Sequence, residues 1–187
     1  ILEQIKDREV KVMYIVPDSF FMSATQKKQH RVVFNVLQEY ARSGMIHSLW
    51  LIDNKEATKI VGEGALGSYY DNTNSAIANF LANYNWFNNT DPIVGNLHEP
   101  KEISRIRTVS IGDIEENEEK LYFLLDNIIE SCYYYSISSE TKENDNKLLS
   151  RIRSYLETKE QTTFGIWENG SNRSFFYSIK FTHYIQE

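Results

Sequence analysis

A short apolar run, residues 48–53, ends abruptly in the polar pair Asp53-Asn54. Six residues of this kind are typical of a buried strand, and residues 55–61 have the spacing of a short helix. Residues 70–74, Tyr-Asp-Asn-Thr-Asn, follow where the next long helix is predicted to begin. We therefore expect two amides and an aromatic ring to meet at one edge of a sheet. Such a set suits a purine base, because amides offer both donors and acceptors and a ring can stack.

The remainder of the chain alternates between strand and helix patterns. Strands are predicted at residues 10–16, 46–52, 108–114, 133–138, 163–167 and 175–185, and helices at 26–42, 55–61, 72–87, 116–130 and 144–159. Residues 93–98 and 138–146 are predicted to be loops, and Gly62, Gly64 and Gly67 a flexible connection. This order predicts a βαβ unit, a long helix, and then an α+β half with helices on one face of its sheet.

Bulk properties narrow the class of protein. The chain has 187 residues, 41% of them hydrophobic, which is enough for a substantial core. Its net charge of −6 gives no basic surface for direct binding of nucleic acid. The single cysteine, Cys132, has no partner for an internal disulfide, which favours a reducing compartment. No apolar run approaches the ~20 residues of a membrane span, and residues 1–5 lack the layout of a signal peptide. These properties predict a cytoplasmic protein.

Residues 51–57, Leu-Ile-Asp-Asn-Lys-Glu-Ala, resemble the end of the sixth strand of the tubulin/FtsZ superfamily, and residues 70–74 resemble the start of its central helix. Within the superfamily the chain most resembles the plasmid- and phage-segregation branch, the TubZ type. The resemblance implies the C-terminal part of a nucleotide-binding domain at residues 1–71, a central helix at 72–92, and an activation domain at 93–187. The implied fold class is α/β plus α+β.

The resemblance also assigns roles to the polar groups. Asn54 and Asn74 would hydrogen-bond the edge of guanine, and Tyr70 would stack on the ring, a position that Tyr69 or Asn72 could take instead. Considered without the resemblance, the spacing favours Asn54 as the cap of the helix that follows it. Asn74 is then an ordinary residue of the first turn of its own helix.

A second candidate site is the acidic segment 99–102, Glu-Pro-Lys-Glu. Pro100 suits the first position of a helix, so we expect a short helix here, with Glu99 and Glu102 on one face. The pattern alone fits a plain acidic helix start. By resemblance, however, these two acids would orient a water against the γ-phosphate in the neighbouring subunit of a filament. Both are Glu where cell-division members of the superfamily use Asp.

The resemblance implies a GTPase that polymerises with GTP and Mg²⁺, contacts copies of itself, and moves plasmid or phage DNA through an adaptor protein. The glycine-rich phosphate loop of the superfamily occurs nowhere in the sequence. We therefore expect a C-terminal portion that is inactive alone. No metal site is predicted, because the histidines lack partners at ligand spacing. Two alternatives stay open: a non-enzymatic α+β module for binding or subunit docking, and a polymer of the cell-division type.

Overall fold

The computed structural model describes residues 8–62, 69–116, 118–159 and 161–187. Within these residues the chain forms eight strands and five α helices. The strands are β1 (Lys11–Val16), β2 (Ser48–Asp53), β3 (Val94–Asn96), β4 (Ile106–Asp113), β5 (Glu119–Leu121), β6 (Glu130–Ser138), β7 (Thr162–Asn169) and β8 (Phe175–Thr182). The helices are α1 (Ala24–Arg42), α2 (Asn54–Val61), α3 (Tyr69–Asn88), α4 (Ser139–Asn144) and α5 (Leu148–Glu157), with a 3₁₀ turn at Ser19–Phe21.

All eight strands belong to one mixed sheet. Its order is β1-β2-β4-β8-β6-β7-β3, with β5 paired to β4 beyond the end of β2. Strands β1, β2 and β4 are mutually parallel, β6 and β7 are parallel, and β8 runs antiparallel to both β4 and β6. Five strands therefore point the same way. The edge where these five end is called the carboxyl edge below, and the edge where they begin is called the amino edge.

Helices cover both faces of this sheet. On one face α2 and α3 bury an aromatic layer that includes Trp50, Phe80 and Tyr134. On the other face α1 packs over β1, β2 and the start of β4, and α5 packs over β6, β7 and β8. Burial on both faces explains why β2, with five of its six residues fully buried, is continuously apolar rather than alternating. The predicted mixture of α/β and α+β structure is confirmed.

The predicted helix at 116–130 is wrong. Residues 119–121 are strand β5, and the residues after them form an irregular segment that lies against α1. A helix would have placed Leu121, Leu124 and Ile128 on one buried face, yet Leu124 is 65% exposed while Phe123 and Leu125 are buried. Asn127 has φ = 52°, a left-handed conformation that stops a helix. Backbone pairing of residues 119–121 with β4 therefore outweighs the helical spacing of apolar residues in this part of the sequence.

The predicted helix at 144–159 is α5, which begins four residues later than predicted, at Leu148. The polar residues 138–146, predicted to be a loop, contain α4 instead. Ser138 caps α4 by accepting the N–H of Thr141 at 3.1 Å, and Asp145 ends it and accepts the N–H of Lys147 at 3.0 Å. The flexible glycine connection lies mainly outside the described residues, which include only Gly62, the residue that ends α2.

The predicted loop at 93–98 contains strand β3, which pairs with β7 at the outer edge of the sheet. Gly95 makes this pairing possible. Its φ is +89°, and a Cβ atom built there would lie 2.3 Å from the carbonyl oxygen of Phe164. Only glycine meets both conditions without strain.

The last residues tie the two halves of the chain together. Strand β8 ends at Thr182, three residues before its predicted end, because the chain turns towards α1. The buried side chain of Gln38 donates to the carbonyl of Gln186 at 3.1 Å and accepts its N–H at 2.7 Å. The Gln186 side chain in turn accepts the N–H of Asp126 at 2.6 Å. The division at residues 71/72 and 92/93 stays a prediction.

Candidate functional site

Asp53 and Asn54 lie at the carboxyl edge, where β2 passes directly into α2. The Asp53 side chain accepts the N–H of Lys55 at 2.7 Å, so Asp53, rather than Asn54, caps α2. Burial raises the pKa of the Asp53 carboxyl. The carbonyl of Asn54 accepts the hydroxyl of Thr58 at 2.8 Å. Its side-chain amide, partly buried, makes no hydrogen bond to any residue that the structure describes, and it is therefore available to a ligand.

Helix α3 brings Tyr70 and Asn74 to the same edge. The hydroxyls of Thr58 on α2 and Thr73 on α3 lie 3.2 Å apart, and Thr73 is buried between the helices. Tyr70 lies one turn before Thr73, and Asn74 directly follows it. Tyr70 and Asn74 are four residues apart and so share a face. Tyr70 is 59% exposed, and Asn74 is exposed. Asn74 lies in the second turn of the described helix, not in its first.

The acidic segment lies at the amino edge, ahead of β4. Glu130 at the start of β6 accepts the backbone N–H of Lys101 at 2.9 Å, and the Lys101 ammonium donates to Gln161 at 3.1 Å. The Cys132 thiol contacts the carbonyl of His98 at 3.8 Å. Glu99 is exposed and stands between these anchored residues. The segment is therefore held by β6 and by the residue before β7.

The short helix predicted at 99–102 is wrong. Residues 97–101 have no helical structure, and the chain turns only at 102–103. The Lys101 N–H is committed to Glu130, and the N–H of Ser104 bonds back to the Lys101 carbonyl at 2.8 Å. Glu102 is 90% exposed at its side chain and pairs with Arg105 at 3.0 Å. Glu99 and Glu102 therefore do not share a helical face, and no helix dipole stabilises their carboxylates. Two exposed carboxylates remain, of which Glu99 makes no ion pair within the described residues.

The two candidate groups lie at opposite edges of one sheet. Asn54 follows the last residue of β2, whereas the acidic segment precedes β4, whose first residue Ile106 pairs with Leu49 near the start of β2. A strand rises about 3.3 Å per residue, so the six residues of β2 alone separate the edges by roughly 17 Å. A single copy does not bring Glu99 near Asn54. A ligand could contact both groups only between two copies.

Sequence reasoning missed Glu130 and Gln161. Both are distant in sequence from the segment that they hold, and neither carries a local motif. In the described part of the chain, no three or more His, Cys, Asp or Glu side chains are grouped so that they could hold a metal ion. Among those same residues no helix is both long and apolar enough to cross a bilayer.

No protein-family model matches the sequence, and no curated protein matches it. Solved structures do match. An FtsZ dimer from M. jannaschii aligns with a TM-score of 0.65 at 13% identity, over 97% of this chain and 57% of that one. TubZ from Bacillus thuringiensis serovar israelensis, in GDP-form protofilaments, aligns with a TM-score of 0.67 at 14% identity, over 97% and 54%. This chain has the tubulin/FtsZ fold.

A third match with the tubulin/FtsZ fold is CetZ2 from Haloferax volcanii, in a GTPγS-bound protofilament. Its TM-score is 0.63 at 19% identity, over 96% of this chain and 57% of that one. The chain thus spans a little more than half the length of these structures. The three proteins come from different branches of the tubulin/FtsZ fold and align about equally well, so the likeness defines the fold and not the branch.

Proposed function

We propose that this chain is the second half of a tubulin/FtsZ-like GTPase subunit that polymerises head to tail and hydrolyses GTP at the junction between subunits. The observation that carries the proposal is the placement of two polar groups at opposite edges of one sheet. Asn54, Tyr70 and Asn74 lie at the carboxyl edge, and Glu99 and Glu102 lie at the amino edge. Stacking of copies along the strand direction would make these groups face each other.

The carboxyl edge fits the base of GTP. Asn54 and Asn74 carry side-chain amides without hydrogen-bond partners among the described residues, and each can pair with the mixed donor and acceptor edge of guanine. Tyr70 offers a ring face for stacking. The sequence holds no glycine-rich phosphate loop, so the phosphates and Mg²⁺ would be bound by other parts of the subunit. When bound, GTP supplies the phosphoryl group that water attacks.

The amino edge supplies the acids. Glu99 of one subunit would accept a hydrogen bond from the attacking water at the carboxyl edge of the next, and it would align that water with the phosphoryl group. Glu102 would play the lesser part because it is already paired with Arg105. Hydrolysis would then depend on assembly, since neither subunit holds a complete site.

The biological role that we propose is segregation of plasmid or phage DNA in the cytoplasm. An adaptor protein would bind the DNA, since the net charge of −6 does not favour direct contact. The TubZ-type resemblance of residues 51–54, of residues 77–85 and of the acidic segment 99–102 supports this role over cell division.

The test is GTP turnover and light scattering of the complete gene product, wild type beside Glu99→Ala. Turnover per subunit should rise with protein concentration in the wild type. Glu99→Ala should bind GTP and scatter light but lose most of its turnover. Asp126→Ala is the matched control, because Asp126 is an exposed acid in the irregular segment after β5, belongs to neither candidate group and should leave turnover unchanged.

Two results would count against the proposal. Full-rate turnover in Glu99→Ala would remove the acid from the mechanism. A wild type that neither assembles nor hydrolyses GTP would mean that only the fold is shared, and a non-enzymatic binding or docking module would become the better explanation.

A further inference from the structure

Arg107, the second residue of β4, buries a cation in the aromatic layer beneath α3. It is only 8% exposed. The central carbon of its guanidinium lies 5.3 Å from the centre of the Trp50 ring and 5.0 Å from that of the Phe181 ring. It makes no hydrogen bond or ion pair with any residue that the structure describes, and its Nε atom is buried. Aromatic faces offset only part of the cost of burying a charge, so this guanidinium lacks an acceptor.

The carboxylate best placed to pair with Arg107 is that of Glu130. Phe181 on β8 is the cross-strand partner of both residues, with Arg107 on one side and Glu130 on the other. Side chains in such a row point to the same face, and two strand spacings put the outer Cα atoms about 10 Å apart. Burial lowers the pKa of Arg107, and the Glu130 carboxylate is among the groups that raise it. An extended arginine and a glutamate can bridge this distance across the Phe181 ring.

In this structure the Glu130 carboxylate is bound elsewhere. It accepts the backbone N–H of Lys101 at 2.9 Å. Lys101 is exposed, so water can replace Glu130 as the acceptor of this N–H at little cost. The buried Nε of Arg107 has no such substitute. Two donors therefore compete for one carboxylate, and the donor that goes without it in this structure is the more costly one to leave unpaired.

We propose that Glu130 switches between two partners: the Lys101 N–H, which holds the acidic segment against β6, and the Arg107 guanidinium, which releases that segment. Arg107 is thus a positioning residue, because it acts on the acidic segment through Glu130. The switch lies within one copy of this chain and needs neither a neighbour nor a ligand. Only its consequence for hydrolysis rests on the proposed function.

The two arrangements differ in how firmly the acidic segment is held. With Glu130 on Lys101, the backbone two residues after Glu99 is fixed to β6. With Glu130 on Arg107, the segment keeps the contact between the Lys101 ammonium and Gln161 and the long contact between the Cys132 thiol and the His98 carbonyl. Turnover of GTP would then follow the fraction of subunits in which Glu130 holds Lys101.

The test is amide hydrogen exchange of the complete gene product without nucleotide, measured by mass spectrometry on a peptide that covers residues 97–105. Arg107→Met removes the competing cation and keeps an apolar chain of similar length in the aromatic layer. It should slow exchange at least threefold, because Glu130 then stays on Lys101. Glu130→Ala removes the anchor and should speed exchange. Arg153→Met is the matched control, because Arg153 is an exposed arginine of α5, on the other face of the sheet, and should change nothing.

A double variant decides whether Arg107 acts through Glu130. In the Glu130→Ala background, Arg107→Met should have no further effect on hydrogen exchange, whereas independent contributions would add. Arg107→Gln is also neutral, should slow exchange like Arg107→Met, and serves in its place if that variant does not fold.

Unchanged or faster hydrogen exchange in both neutral variants, or additive effects in the double variant, would overturn this inference and leave the proposed function intact. The measurement needs no GTP turnover. A wild type without turnover would overturn the proposed function, while the exchange rates would still decide the partner switch of Glu130.

Discussion

The carboxylate of Glu130 accepts the backbone N–H of Lys101 at 2.9 Å, across 29 positions of sequence. This hydrogen bond joins the start of β6 to the acidic segment at the amino edge. The peptide group that it holds lies two residues after Glu99, the acid assigned to the proposed hydrolysis. Glu130 is therefore a positioning residue, because it acts through the backbone of the segment and not on the ligand.

We expect Glu130→Ala to lower the turnover number for GTP several-fold, with little change in GTP affinity, since loss of the anchor loosens Glu99 without touching the carboxyl edge. Glu130→Gln keeps an oxygen acceptor and should restore most of the rate. Steady-state kinetics above the assembly threshold would measure both variants. An equal fall in turnover number in Glu130→Ala and Glu130→Gln would mean that the negative charge of Glu130 matters and not its hydrogen bond to Lys101.

Asn74→Ala should weaken GTP binding about tenfold, because one hydrogen bond to a base contributes ~1.4 kcal/mol. The loss should be smaller for ATP, whose base presents a different edge. Asn79→Ala is the matched control, because Asn79 is also an exposed amide of α3 but lies farther along the helix. Binding of fluorescent GTP and ATP analogues to the complete gene product would measure the difference. Equal effects of Asn74→Ala and Asn79→Ala would remove Asn74 from the base site.

The buried ion pair between Glu119 and Lys180 should make the fold sensitive to acid. Their side chains, 13% and 6% exposed, lie 2.8 Å apart between the sheet and α5, and Glu119 also accepts hydrogen bonds from Ser110, Ser178 and Tyr155. Burial by itself raises the pKa of the Glu119 carboxyl. Lys180 and the hydroxyl donors outweigh burial, so this pKa lies below its ordinary value.

A carboxyl whose pKa is lower in the folded chain than in the unfolded one stabilises the fold above the unfolded pKa of about 4.3. That contribution is lost as the pH falls through the lower, folded value. Glu119→Gln should cost ~3–5 kcal/mol at neutral pH, because Lys180 remains buried without its carboxylate. Combining it with Lys180→Met should recover part of the loss. Denaturant unfolding at several pH values would measure both effects, and an unchanged stability in Glu119→Gln would contradict the assignment.

Gly95→Ala should destabilise the outer edge of the sheet by ~1–3 kcal/mol, because alanine is strained at φ = +89° and its Cβ would collide with the Phe164 carbonyl. Gly170→Ala is the control, since no atom beyond the adjoining residues lies within 4 Å of its added Cβ. Thermal unfolding of the two variants would show the contrast. Similar melting temperatures would mean that β3 contributes little to the fold.

The sequence determined the elements whose patterns are local. Residues 49–52 are apolar without interruption because both faces of β2 are covered, and a buried strand could be predicted there from this local pattern alone. The regular apolar spacing of α1 likewise defined a helix. The order of these elements, together with residues 51–57 and 70–74, was enough to predict the tubulin/FtsZ fold.

Only the tertiary structure decided the parts that depend on distant partners. Residues 119–121 pair with β4 although their neighbourhood has helical spacing, because backbone hydrogen bonds to an existing strand outweigh a weak local preference. The segment from Glu99 to Glu102 does not form the predicted helix, because Glu130 accepts the backbone N–H of Lys101 between the two acids. The placement of Asn54 and Glu99 at opposite edges also arises from strand direction, which local sequence does not encode. Strand direction is set by which strands pair, and pairing is a property of the whole sheet.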